Sequence, residues 1–216
     1  MTVIAIDGTF ASGKGTLGKK IAKHYGFAYL DTGKLYRAVA AKALHKDTDL
    51  QDAKACANYA KIIIPSDLEN LYLKSGTVGA AASKIAVHDE VRAALFDFQQ
   101  NFAQAPGKDF LGSVLDGRDI GTVICPNADV KLYIDADPRV RAKRRHKELL
   151  GYGEDITYDQ VLAQLKERDC RDMNRENAPL KPAINAHLLD TTILAIEPAF
   201  EAAIKLIDAV LGFPKA

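Results

Sequence analysis

Short apolar runs and amphipathic stretches take turns along this chain. Val3-Ile4-Ala5-Ile6, Phe27-Ala28-Tyr29-Leu30, Ser113-Val114-Leu115, Val130-Lys131-Leu132-Tyr133-Ile134 and Leu188-Leu189 are each bounded by turn or polar residues and read as five strands. Between them the apolar spacing becomes helical. Leu17, Ile21 and Ala22 mark a first helix, and Leu35, Tyr36, Val39 and Ala40 a second that begins near Gly33, with Asp31 and Thr32 as its caps. Further helices are predicted at about 50–60, 79–103, from Pro138 onward, 157–176 and 197–211. Ile62-Ile63-Ile64 and Leu71-Tyr72-Leu73, separated by the turn residues Pro65, Ser66, Asp67 and Asn70, predict a small hairpin. Strands alternating with helices predict an α/β fold: a five-stranded parallel sheet flanked by helices. The expected plan is a single domain. Its core comprises 1–44, 111–149 and 181–216, with an insertion over 45–110 and a helical lid over 150–180 hinged at Gly151 and Gly153.

The most informative stretch joins the first strand to the first helix: Gly8-Thr9-Phe10-Ala11-Ser12-Gly13-Lys14-Gly15-Thr16. Strand, glycine-rich loop and helix in this order form a P-loop. Its backbone N–H groups and the helix N-terminus attract phosphate, and Lys14 adds a full charge. Gly15 stands where many P-loops place a Ser or Thr hydroxyl on Mg²⁺. The metal is therefore expected on phosphate oxygens, water and an acid elsewhere. Asp116 is the candidate, at the end of an apolar strand where ligands of open α/β sheets collect. Arg118 and Asp119 follow it.

Composition narrows the alternatives. With 216 residues, 48% hydrophobic and 26% charged, the chain suits one globular core with a small lobe. A net charge of +1 implies no general attraction to polyanions. Cys56, Cys125 and Cys170 are too scattered for a disulfide framework, and the five histidines lack metal-ligand spacing. No apolar stretch reaches transmembrane length and no leader pattern precedes the first strand, so a cytoplasmic protein is expected. Arg139, Arg141, Lys143, Arg144, Arg145 and Lys147 crowd one helix without an acid, and Arg168, Arg171 and Arg175 share another helix face. Alone, either cluster is a solvated face. No aromatic residues interleave with them as in a nucleic-acid surface. Beside a P-loop, they fit the charge that spreads over a phosphoryl group in transfer.

These motifs together resemble bacterial cytidylate kinases over nearly the whole chain. The resemblance is carried by Ile6-Asp7-Gly8 through Thr16, by Leu30-Asp31-Thr32-Gly33-Lys34-Leu35-Tyr36-Arg37, by Asp116-Gly117-Arg118-Asp119-Ile120-Gly121-Thr122-Val123, by Arg168 through Arg175 with Ala178-Pro179-Leu180, and by Leu189-Asp190-Thr191-Thr192. It implies transfer of the γ-phosphoryl of ATP to CMP and dCMP in pyrimidine nucleotide metabolism, with Mg²⁺, by a monomer with no nucleic-acid or membrane partner. It implies that Gly8, Thr9, Phe10, Ala11, Ser12, Gly13, Lys14, Gly15 and Thr16 hold the ATP phosphates, with Arg144 nearby. Thr32 and Arg37 would meet the acceptor nucleotide. Ser83, Arg92 and Asp119 would read cytosine, and Arg168 and Asp172 would face the sugar. Arg118 would clamp phosphate, while Arg171 and Arg175 would meet the moving group. Unlike longer bacterial members, this chain has Ser75-Gly76-Thr77-Val78-Gly79 in place of part of the insertion, and Lys34 occupies a position where the family commonly has a small residue. The rivals are a kinase for AMP or UMP and a nucleotide switch. Asp109-Phe110-Leu111-Gly112 matches a DxxG pattern, but no NKxD motif follows.

Overall fold

The computed structural model describes residues 1–212; the last four residues of the expected core segment lie outside them. Five parallel strands, β1 (Thr2–Gly8), β2 (Ala28–Asp31), β3 (Gly112–Gly117), β4 (Val130–Asp135) and β5 (His187–Asp190), form one sheet in the order β2-β3-β1-β4-β5. The central strands are buried on both faces, so their middles are mostly apolar rather than alternating. Ile4, Ile6, Val114, Leu132 and Ile134 pack on one side beneath α1 (Lys14–Tyr25) and α8 (Ile196–Leu211). On the other side, Ala5, Leu30 and Leu115 meet a block built from α2 (Thr32–His45), α3 (Ala53–Lys61), α4 (Gly76–Ile85) and α5 (Asp89–Gln104). A third, smaller cluster, Ala142, Leu149, Val161 and Leu165, holds α6 (Pro138–Gly151) against α7 (Tyr158–Asn174). The limits expected for the lid, 150–180, cut this pair near its turn. No helix among the described residues is long and apolar enough to cross a membrane.

Three local expectations are overturned. The predicted hairpin is two short 3-10 helices, Pro65–Glu69 and Leu71–Lys74. Their backbone is satisfied locally instead of by a ladder: Ile64 N donates to Asp67 Oδ2 (3.0 Å) and Tyr72 N to Asn70 Oδ1 (2.9 Å). Lys42 pairs with Asp67 (2.9 Å), and Lys34 donates to Leu68 O (3.0 Å), which gives Lys34 its role as a tether from α2. The predicted helix over 79–103 is two helices, broken at Ala86-Val87-His88 where His88 Nε2 meets Leu50 O (2.8 Å). Asp89 and Glu90 then open α5 at its favourable N-terminal end. Neither Asp31 nor Thr32 caps α2 through its side chain; the Thr32 hydroxyl donates to Asp116 O instead (2.8 Å).

Gly8 shows how tightly the loop is set into the sheet. A Cβ there would stand 2.0 Å from Ile134 O, a backbone atom of a central strand that cannot yield. Gly8→Ala is predicted to destabilise the fold by about 2–4 kcal/mol. Urea denaturation checks this, and an unchanged midpoint would show that the loop relaxes freely.

Candidate active site

The carboxyl ends of β1, β2 and β3 open into one cleft. Phe10 through Thr16 form one wall. Thr32, Arg37, Ser83, Arg92, Asp116, Arg118, Asp119, Arg168, Asp172 and Arg175 line the rest, together with Asp31, Tyr36, Arg145 and Glu148. Of the residues assigned from sequence, Gly8, Thr9, Arg144 and Arg171 stand outside this lining. Gly8 is sealed against β4, and Thr9 donates its hydroxyl to Asp135 Oδ1 (2.6 Å), so both support the loop from behind. Arg144 donates to Thr191 O (2.6 Å) beside a second recess lined by Ser12, Gly13, Thr16 and Ala195. Arg171 pairs with Glu167 and donates to Ser83 Oγ (2.7 Å), behind the Ser83 wall of the cleft.

Each inward side chain is held by a different element. Arg118 Nε pairs with Asp172 Oδ2 (2.9 Å) on α7. Asp119 is shared by Arg92 of α5 and by Arg175 (3.4 Å). Arg37 donates to Leu73 O (2.7 Å) and lies against Gly79, where a Cβ would come within 3.0 Å of its guanidinium. Arg168 donates to Gly79 O (3.3 Å), yet its buried Nε has no hydrogen-bond partner, and neither has the buried Ser12 hydroxyl. The chain after Gly151 and α6 both touch the 74–76 turn: Gly76 N donates to Glu154 Oε1 (2.7 Å) and Arg145 to Lys74 O (3.3 Å).

Two supports carry no sequence signal of their function. Arg141, 2% exposed, donates to Phe10 O (3.0 Å) and Ala136 O (2.8 Å) and pairs with Asp169 (2.7 Å). It had read as one cation in a basic run. Tyr29 donates its hydroxyl to Asp116, a contact set by the β2–β3 register that aligns Asp31 with Asp116.

The electrostatics are those of a site waiting for an anion. Burial and Arg118 push the Lys14 ammonium down, and burial and Arg145 push Arg37 down. Arg168 is lowered by burial and by Arg118, Arg37 and Arg145, and Arg175 by burial and Arg92. Burial and Asp31 push the Asp116 carboxyl up. Burial would raise Asp172 too, but Arg118 and Arg168 hold it below the ordinary carboxylate value. Several cations crowded at this cost would be relieved by a polyanion such as a row of phosphates.

Comparison with known proteins agrees with that chemistry. The family model described as cytidylate kinase matches residues 4–209. The chain is 51% identical over 208 residues to a cytidylate kinase of Rhodopseudomonas palustris (strain ATCC BAA-98 / CGA009), covering 96% of each chain. It is 50% identical over 210 residues to that of Brucella suis biovar 1 (strain 1330), covering 97% of this chain and 94% of that one. A crystal structure of an uncharacterized protein from Eubacterium ventriosum ATCC 27560 superposes with a TM-score of 0.53 at 17% identity, over 97% of this chain and 99% of that one, and shares the fold.

One acid behind the cleft is open to direct titration. Asp7 accepts from Ile120 N (2.7 Å) and Gly121 N (2.8 Å), anchoring the turn that follows Asp119. Burial raises its carboxyl from 3.8 to about 6, against those two amides. The folded state then binds this proton more tightly than the unfolded one. The group's contribution to stability is fully present below about pH 4 and is lost as pH rises through about 6, up to about 3 kcal/mol. Carbon-13 titration of the Asp7 carboxyl is expected to show a midpoint near 6; a midpoint at an ordinary carboxylate value contradicts this electrostatic account.

Proposed function

The chain belongs to the cytidylate kinase family, which makes it a phosphotransferase from ATP to CMP, and we propose that transfer takes place in the cleft between the P-loop and the Asp119 corner. The observation that carries this reading is Asp119 gripped by Arg92 and Arg175 across the cleft from Lys14. One end of the cleft suits phosphates and the other a polar base. In this proposal Phe10 to Thr16 hold the ATP phosphates, backed by Gly8 and Thr9, and the recess beside Arg144 takes the donor's base. Arg37 and Thr32 meet the acceptor's phosphate end, and Arg168 and Asp172 its sugar. The insertion, 45–110, supplies the acceptor pocket, and the segment 150–180 closes over the donor.

Cytosine offers an amino group and two acceptors. The Asp119 carboxylate takes the amino protons and the Arg92 fork serves the acceptors. Arg171 donates to Ser83 Oγ, which leaves the Ser83 hydroxyl proton for the base. Arg171 is thereby an orienting residue for Ser83. UMP presents a carbonyl to Asp119, and the pair repel. In this reading dCMP is a second substrate.

For the chemistry, the CMP phosphate oxygen attacks the γ-phosphorus in line, the bond from that phosphorus to the β–γ bridging oxygen breaks, and ADP leaves as CDP forms. Lys14, Arg118 and Arg175 meet the negative charge that spreads over the transferring oxygens. Contact between insertion and lid excludes water, which would otherwise take the phosphoryl group. Magnesium fits the Asp116 corner. A Cβ on residue 15 would meet Tyr29 Oη at 3.6 Å and Asp116 Oδ2 at 3.7 Å, so the P-loop backbone at Gly15 runs close beside that carboxylate. No three His, Cys, Asp or Glu side chains among the described residues converge to hold a metal by themselves. Asp116 would hold the ion together with phosphate oxygens and water, and the bound ion supplies neutralisation of the phosphate charge.

Two substitutions test the assignment. Lys14→Ala is expected to lower kcat by roughly 10²–10³ with little change in the unfolding midpoint, since Lys14 serves charge that develops in transfer. A kcat near that of the native enzyme removes Lys14 from this role. Arg92→Met is expected to cut the preference for CMP over UMP by about 2–4 kcal/mol, roughly 30- to 900-fold. Turnover with CMP, dCMP, UMP and AMP measures it. Undiminished selectivity places base reading elsewhere, and a native preference for AMP rejects the pocket assignment.

A further inference from the structure

Phe10 is a large apolar side chain at the tip of a loop whose other members serve phosphate. Its ring packs on the α6–α7 cluster of Ala142, Leu149, Val161 and Leu165. The Arg168 guanidinium lies 4.2 Å from the ring centroid, and the Arg145 guanidinium 5.6 Å. The Phe10 carbonyl accepts from Arg141, which also pairs with Asp169 on α7. A single loop residue therefore touches both α6 and α7 through its ring, and α6 also through its backbone.

Arg168 needs such a partner. It faces Arg37, Arg118 and Arg145, which repel it. Its protein hydrogen bond, to Gly79 O, is 3.3 Å long; its Nε has no hydrogen-bond partner, and Asp172 stands 3.8 Å away. A half-buried aromatic face attracts a guanidinium without consuming its N–H donors, which stay free for a ligand. A carboxylate at the same place would hold Arg168 more strongly but would compete with the acceptor nucleotide for those donors.

We propose that Phe10 is a positioning residue: its ring holds the Arg168 guanidinium over the cleft and docks the α6–α7 pair on the P-loop, so that closure of the lid and alignment of Arg168 are one event. The proposal rests on the placement of Arg168 at the acceptor given above.

The test is a double-substitution cycle with Phe10→Leu, Phe10→Tyr and Arg168→Met, read as kcat/KM for CMP at saturating ATP and Mg²⁺. Leucine keeps the apolar contact with the α6–α7 cluster and removes the ring face; tyrosine restores the face. Phe10→Leu is expected to lower kcat/KM about tenfold in the native background. In the Arg168→Met background it is expected to lower it less than twofold. Phe10→Tyr is expected to remain within about twofold of native. An equal loss from Phe10→Leu in both backgrounds, or a Phe10→Tyr enzyme as impaired as Phe10→Leu, overturns the proposal and leaves the placement of Arg168 standing. An Arg168→Met enzyme as active as the native one overturns that placement and this proposal together.

Discussion

The structure depends on keeping several buried cations in one cleft. Lys14, Arg37, Arg118, Arg168 and Arg175 all line it. Two like charges about 4 Å apart repel by about 4 kcal/mol at the effective dielectric of a protein surface, more than one neutral hydrogen bond returns. The helices around the cleft therefore pack only where each guanidinium finds an acceptor. Arg118 uses Asp172, Arg175 uses Asp119, Arg37 uses the Leu73 carbonyl, and Arg168 uses Gly79 O and the Phe10 ring. The acceptors come from α4, α7, the segment after Gly117, the P-loop and the 3-10 turns. Offsetting repulsion and assembling the site are the same act.

The carboxyl edge of the sheet poses the opposite problem. Parallel register places Asp31 beside Asp116, and Asp135 beside Asp190. Tyr29 donates to Asp116, and the Thr9 hydroxyl and the Ala136 amide donate to Asp135. The acids at strand ends thus fix the loop on one side and leave Asp116 lining the cleft beside the P-loop on the other. Lys14 lies between this acidic edge and the arginine cluster, which is why its charge responds to both.

Much of this was legible in the chain. Five apolar runs became five parallel strands; the three central ones are buried on both faces and need no alternation to be recognised. The P-loop and the Asp116–Asp119 motif were readable because their function needs particular residues at fixed short spacing. What lay hidden was whatever depends on partners distant in sequence. Arg141 is indistinguishable from its basic neighbours until Phe10 and Asp169, far away along the chain, are brought to it. The apolar triplets 62–64 and 71–73 looked like strands, but Ile62, Ile64 and Leu71 are 61%, 55% and 75% exposed, and side chains of Asp67 and Asn70 satisfy the backbone that a ladder would have used. Arg171 shares its spacing with Arg168 and Arg175, yet only contact with α4 reveals that it serves Ser83.

The break at Ala86-Val87-His88 shows why such details decide selectivity. Ser83 and Arg92 are nine residues apart, two and a half turns of a continuous helix, so an unbroken helix would put them on opposite faces. Only one could then meet a base. His88 ends that geometry by bonding Leu50 O, and α5 restarts in a new direction with Asp89 and Glu90 at its head. Both side chains now line one cleft, Ser83 on α4 held by Arg171 and Arg92 on α5 held by Asp119. The joint placement of Ser83 and Arg92, on which the proposed base reading rests, thus follows from a corner between two helices. The short turns of residues 65–74, bound back to α2 by Lys34 and Lys42, support that corner without an added sheet.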